Sequence, residues 1–450
     1  MKHIALRICV AVLVVNVTAL IGFVVWRVNL MHAVKVQLQA IRAAGLPTSG
    51  AELNSYYPAV PDNENAALVM TQAFALLRDY PDSRSNRIAR FNIPSRGQSL
   101  TAEQKKLLSD YVEMNSNALI KAQEAIRLPK SRYPVDLTPN WEALLPQLPN
   151  LRKVSNLAGI EAVSALQAQQ YKQAADLISF QFALCHTLDA EPLLMSSIVR
   201  GEIISSASQL AEFSLNRINF DETSLSELVQ NFAQVDENEL PPIDFISDRA
   251  TSLPYFQTNW FALRSFIYAG DDSERILSTE FRGRIGWITG LFDRDEIFYL
   301  KAMQVAIDEA HRPYPECLSL YSTMHESAWD GHRRGYILGP GLLEGLRNAV
   351  PKEVEASARI RMTTAALAVE RFRLAHGQLP EDLNELIPRF ITAIPIDPFD
   401  GQPIRYKRLE KGYVVYSVGR DGHDNGGRER PADAKYSDKT EYDITFTVER

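Results

Sequence analysis

The stretch EVEASARIRMTTAALAVERFRLAHG, Glu353 to Gly377, decides how the rest of the chain is read. Ala358, Met362, Ala365, Val369 and Phe372 recur at helical spacing and form one apolar stripe. Gly377 stands where a helix terminator belongs. Beyond it the texture changes. Ile404 to Arg408, Tyr413 to Val418 and Ile444 to Val448 alternate or concentrate β-branched and aromatic residues, the pattern of short strands. A long helix followed by a small antiparallel sheet makes an α+β unit, expected over 346–450.

Upstream of this unit the pattern is repeatedly helical, and a large all-helical domain is expected over 56–338. Thr101 with Gln104 forms a capping box, and Ser224 with Glu227 repeats the device. Asp62 is expected to cap the segment that continues through NENAALVMTQAFALL. Within NLAGIEAVSALQAQQYKQAADLISFQFALCHTL, Leu166, Tyr171 and Ala174 fall where a tetratricopeptide-type helical hairpin places small and aromatic residues. One copy is visible, not a series, so a hairpin in a larger α-domain is expected. Glycine and proline density rises in GYILGPGLLEG, Gly335 to Gly345, which sets the domain boundary.

The N-terminus carries ICVAVLVVNVTALIGFVVW between Arg7 and Arg27, without a charge. At 1.5 Å per residue it spans roughly 28 Å, the hydrocarbon thickness of a bilayer. Asn16 and Thr18 are tolerable there if helix backbone satisfies them, and Trp26 sits where an interfacial aromatic belongs. A retained transmembrane anchor over 1–30 is expected, followed by a stalk over 31–55 that Gly45 and Pro47 stop. A cleaved signal peptide is the alternative. The flanking basic residues hardly discriminate orientation. A very short N-terminal tail before a large domain favours an extracytoplasmic, periplasmic-side bulk. The fold class is thus mainly α: a single-pass transmembrane helix, a large helical domain and a small C-terminal α+β domain.

Composition excludes some functions. A net charge of −7 with scattered basic residues offers no basic face for phosphates, so nucleic acid is not an expected partner. Three cysteines are present; Cys9 lies in the span, and Cys185 and Cys317 either pair or are lone buried thiols. No Gly-x-Ser-x-Gly, phosphate loop or Cys-x-x-Cys framework occurs.

Candidate site residues cluster near the C-terminus. In YVVYSVGRDGHDNGG, Tyr413 to Gly427, Asp421, His423, Asp424 and Asn425 offer side chains and four glycines let the backbone turn. Calcium takes six to eight oxygen ligands in flexible geometry; a polar turn without an ion uses the same residues. An EF-hand does not fit, because the third and twelfth positions from Asp421 are His423 and Ala432. A second cluster, His325, Glu326, Asp330 and His332 with His311 nearby, lacks zincin spacing because the paired histidines are seven apart. Asp62, Glu64 and Asn65 are explained by capping.

The words ALAVERFRLAHGQLPEDLNELIPRFITAIPIDPFDGQPIRY, GYVVYSVGRDGHDNGG and DITF, in this order, resemble the type II secretion pseudopilin G family. The shared features are His376-Gly377 with Pro380, Leu383 to Ile387, Pro395-Ile396-Asp397-Pro398, Tyr406, and Ser417 to Gly422. The resemblance covers roughly the last 100 residues and lacks the prepilin leader and its glutamate. It implies a loop that binds structural calcium through Asp side chains and backbone carbonyls. By position Asp421 matches the family's loop aspartate, with Asp424 and Asp443 as looser candidates. The expected function is a non-enzymatic, membrane-anchored extracytoplasmic scaffold or interaction protein, with envelope or secretion-related partners. Two alternatives stand beside it: an anchored hydrolase-like enzyme with a site in the helical domain near His311 to His332, and a tetratricopeptide-like peptide-binding adaptor.

Overall fold

The computed structural model describes residues 2–80, 93, 94, 96, 98, 100–140, 143–237, 245–257, 286, 288–431 and 442–450. The molecule is mainly α, with a small C-terminal three-stranded antiparallel sheet.

Helix α1, Lys2–Ala43, runs unbroken from the apolar segment into the body. It is long and apolar enough to cross a membrane: an 18-residue window has mean hydropathy 2.8 and none of it is buried. Its two polar side chains are satisfied by helix backbone, since Asn16 Nδ2 donates to the Val12 carbonyl and Thr18 Oγ1 to that of Val14. The expected stalk, 31–55, is not free-standing, and its residues 31–43 are the C-terminal turns of this same helix. Arg27 and Leu30 are half-buried, Val34 and Leu38 are buried, and Ile41 packs beside them, a stripe at three- and four-residue spacing. Gly45, with φ 77°, ends the helix as expected.

The body's helices are α2 (Gly50–Tyr56), α3 (Ala66–Leu76), α4 (Ala102–Ala125), α5 (Gln147–Gln167), α6 (Tyr171–Cys185), α7 (Leu194–Leu215), α8 (Glu222–Glu237), α9 (Phe245–Gln257), α10 (Leu291–Ala310), α11 (Ser319–Arg333), α12 (Leu338–Leu346) and α13 (Ala349–His376). The Thr101/Gln104 capping box forms at the start of α4. Two other caps differ from expectation. Asn65, not Asp62, caps α3 by accepting the Ala67 N–H, while Asp62 to Glu64 form a 3-10 turn. Asp221 accepts the Ser224 N–H, so α8 begins before the Ser224/Glu227 pair. In both cases a neighbouring side-chain oxygen reaches the free N–H groups first. Helices α5 and α6 make the expected hairpin.

Two hydrophobic clusters fill the body. One gathers α3 to α8, the other gathers α9 to α12 with Val34 and Leu38 of α1. Helix α13 belongs to both: Val350, Val354 and Ala358 lie in the second, Ile360 to Phe372 in the first. Its burial exceeds a single stripe, because Ala365 to Val369 are all fully buried. One side of α13 meets α7 and α8, another meets the sheet. Residues of the expected helical domain (56–338) and α+β unit (346–450) therefore share their cores.

The glycine-dense segment at the expected boundary is itself helix α12, with Leu338, Leu342, Leu343 and Leu346 buried. Asp295 caps it by accepting the N–H groups of Ile337, Leu338 and Gly339. Gly339 is required there, since a Cβ would lie 2.7 Å from Asp295 Oδ1.

The strands are β1 (Arg405–Arg408), β2 (Tyr413–Ser417) and β3 (Ile444–Val448), with β2 central and fully buried. Register pairs Tyr406 with Val415 and Val415 with Phe446. Tyr413 ties the sheet to α13 by donating its hydroxyl to the Ala366 carbonyl at 3.1 Å. Because α13 has no exposed side between Met362 and Glu370 onto which a void can relax, Leu367→Ala should lower unfolding free energy by about 2–5 kcal/mol, read as a lower denaturant midpoint at unchanged slope.

Candidate functional site

The loop after β2 closes upon its own backbone. Asp443, entering β3, accepts the Asn425 N–H at 3.2 Å on Oδ1 and the Gly427 and Arg428 N–H groups at 2.7 and 3.2 Å on Oδ2. Asp421 Oδ1 accepts the His423 N–H and its Oδ2 the Asn425 amide. Asp424 Oδ1 accepts the Gly426 N–H, and its Oδ2 lies 3.6 Å from Arg405 Nε. Gly422, Gly426 and Gly427 all have positive φ, as such tight turns require. His423 is exposed and its ring nitrogen turns to the Asp421 carbonyl.

Calcium would need these oxygens to share a focus. Among the described residues, each of these three carboxylates accepts N–H donors of the loop, and no group of three or more His, Cys, Asp or Glu is placed to hold a metal. Burial pushes the Asp443 carboxyl up despite its three backbone donors.

The two family-like words meet at Asp397. This fully buried carboxylate accepts from Ser417 Oγ at 2.8 Å, the Phe399 N–H at 3.0 Å, the Val418 N–H at 2.9 Å and Arg405 at 2.8 Å. The Pro-x-Asp-Pro segment is thereby fastened to the start of the Ser-x-Gly-x-Asp-Gly loop. Tyr406 fastens the opposite end by donating to the Pro380 carbonyl.

The histidine cluster is dispersed. His325 and Glu326 are exposed on α11, and His325 Nδ1 lies 3.0 Å from Arg347 and 3.4 Å from Glu344. His332 is exposed in the last turn of α11, where a basic side chain complements the helix dipole. Asp330 pairs with Arg334. His311 stands apart beyond α10, with Nδ1 2.7 Å from the Ile307 carbonyl. Glu64 pairs with exposed Lys130, which agrees with a structural role. Cys185 and Cys317 are free and buried in different clusters. Burial pushes the Cys317 thiol up to about 11 and that of Cys185 further.

A buried charged centre escaped the sequence. Arg200 on α7 is 2% exposed and donates to Glu353 of α13 at 2.7 Å, with Asp189 at 3.6 Å. Burial pushes the Glu353 carboxyl up while Arg200 pulls it back. A cavity of about 280 Å³ lies against Arg200 and is lined also by Tyr56, Asp189, Glu191 and His311. A second, of about 370 Å³, opens between α5, α7 and the start of α13, with Asn156, Ser197, Glu202 and Glu353 in its wall. Glu191 accepts from Gln147 at 2.6 Å and from Ser196 at 2.7 Å, yet burial pushes it up to about 7. These residues lie far apart in sequence and follow no recognisable motif.

Among known proteins, the chain matches no family profile, no curated protein and no solved structure.

Two outcomes follow from this geometry. Replacing Asp443 by alanine should loosen residues 421–428 and cost about 1–3 kcal/mol through the stranded N–H groups, seen as faster proteolysis in that loop. For Glu191 the folded pKa lies above the unfolded value, so its contribution is complete below about 4.5 and is lost as pH rises to about 7. Glu191→Gln should therefore gain stability over wild type across that window, by up to about 3 kcal/mol. A difference that stays flat from acid to neutral pH contradicts the assignment.

Proposed function

We propose that the protein is a non-enzymatic, single-pass membrane-anchored scaffold or interaction protein whose bulk lies outside the cytoplasm. One observation carries the reading: α1 passes without a break from an exposed apolar segment into the body's core, where Val34 and Leu38 are buried. A span continued as a packed helix transmits its orientation to the body, whereas a flexible linker does not. The Arg27–Asp293 ion pair at 2.7 Å and the Arg294 guanidinium over the Trp26 ring reinforce the junction.

The resemblance of the C-terminal words to pseudopilin G supports envelope or secretion-related partners, and the Asp397–Ser417 contact supports treating those words as one folded element. The dispersal of His311, His325 and His332 supports a scaffold over an enzyme centred there. Calcium has no part in this proposal.

The expected outcome is a chain that stays in the membrane pellet after alkaline extraction. A phosphatase fused after Arg450, active only when exported, should be active, and a β-galactosidase fusion should not. Release by alkali overturns the anchor. The reverse fusion pattern overturns the extracytoplasmic placement.

A further inference from the structure

We infer that the body touches the bilayer a second time, beside the exit of α1, through Ile288 and Arg294, and that this face takes anionic lipid headgroups. The inference rests on the anchor reading above and adds a surface to it. Three contacts define the place. Leu30 lies against Gly290, Arg27 pairs with Asp293 at 2.7 Å, and Trp26 faces Arg294 at 5.7 Å. As the α1 position falls from 30 to 26, the partner rises from 290 to 294. The first turn of α10 thus starts beside the exit and heads toward the apolar end of α1.

That approach is close. Gly290 has φ 64°, and a Cβ there would lie 2.8 Å from Leu30 Cδ2 and nearer still to the Arg27 guanidinium. Two residues earlier, Ile288 is 56% exposed. Arg294 is exposed, and among the described residues its guanidinium meets the Trp26 ring and no carboxylate. Meanwhile, among the described residues, the apolar stretch of α1 before Trp26 is bare of any body element.

The hydrocarbon thickness of a bilayer, roughly 30 Å, is matched by the stretch that ends at Trp26. Bilayer that covers this stretch reaches the level of Arg294. Phe23 and Trp26, with ring centroids 5.8 Å apart, supply the interfacial aromatics. Charge fits the same occupant. Arg27, Lys35 and Arg294 stand within about three turns of helix; of the acids that begin α10, Asp293 is paired with Arg27, and Asp295 and Glu296 are buried. Basic residues at this depth attract anionic leaflets, and an exposed isoleucine beside them has an apolar boundary to enter.

The experiment uses the full chain with Cys9 replaced by serine, reconstituted in nanodiscs of phosphatidylcholine with or without phosphatidylglycerol. Single cysteines replace Val15, Ile288 or Leu144 and carry a polarity-sensitive fluorophore. Leu144 is 84% exposed, and Asn140 near it binds the Gly50 N–H, beyond the far end of α1. Quenching of Val15→Cys by deep nitroxide lipid reports the anchor alone. With the anchor inserted, Ile288→Cys should be quenched by shallow nitroxide lipid and shielded from aqueous iodide at least about threefold relative to Leu144→Cys, more so with phosphatidylglycerol. Arg294→Glu should remove the dependence on phosphatidylglycerol. An inserted Val15→Cys with Ile288→Cys as open to iodide as Leu144→Cys overturns the second contact and leaves the anchor standing. A phosphatidylglycerol dependence that survives Arg294→Glu overturns the headgroup role, and an unquenched Val15→Cys overturns both readings.

Discussion

A helix buried on every side over its middle turns, Met362 to Glu370, is the constraint from which this architecture follows. Between Ala365 and Val369 no residue of α13 reaches solvent, so helices must cover one flank and a sheet the other. Small side chains make this possible. Alanines at 365, 366 and 368 let neighbouring backbones come close, and Leu367 and Val369 fill the remaining volume. Polar groups on the same helix have partners: Thr363 meets Ser208 at 2.6 Å, and Thr364 returns to the Ile360 carbonyl. The helical layer and the sheet are covers of one element, which is why both hydrophobic clusters converge on it.

The irregular segments are governed by a repeated device, an aspartate facing several backbone N–H groups. Asp295 holds the start of α12, Asp397 joins the Pro-x-Asp-Pro segment to the end of β2, and Asp443 closes the Asp421 to Arg428 loop. Each lies away from the N–H groups it serves, by fifteen or more positions in most of these contacts. A carboxylate accepting two or three such bonds stays buried because the donors replace its lost hydration, and Asp397 has the Arg405 charge beside it as well. Loop composition alone does not reveal this. Asp and Asn beside glycine serve equally well for an ion or for a turn, and Asp443, which closes the loop, stands just before β3.

Legibility in the sequence follows the range of the interactions. The apolar length before Arg27, the Thr101/Gln104 box, the Gly377 stop and the three strands are set by residues within a turn or two of one another, and each was readable. Asp62 and Ser224 were misread as caps by a few positions, since Asn65 and Asp221 compete for the same N–H groups. Gly339 looked like a linker residue because its role depends on Asp295, 44 positions away. Arg200 and Glu353 gave no sign of forming a buried pair, as they lie 153 positions apart on two different helices.

What the chain determined by itself was local periodicity: a span-length apolar helix, a helical body, and a long helix leading into short strands. Tertiary structure alone decided that α1 docks instead of swinging free, that the middle of α13 is enclosed on all sides, and that the loop carboxylates turn to backbone donors. The physical reason is separation. Hydrogen-bond periodicity is written within a few residues, whereas burial and the partner of a charge depend on surfaces that meet only after the chain has folded.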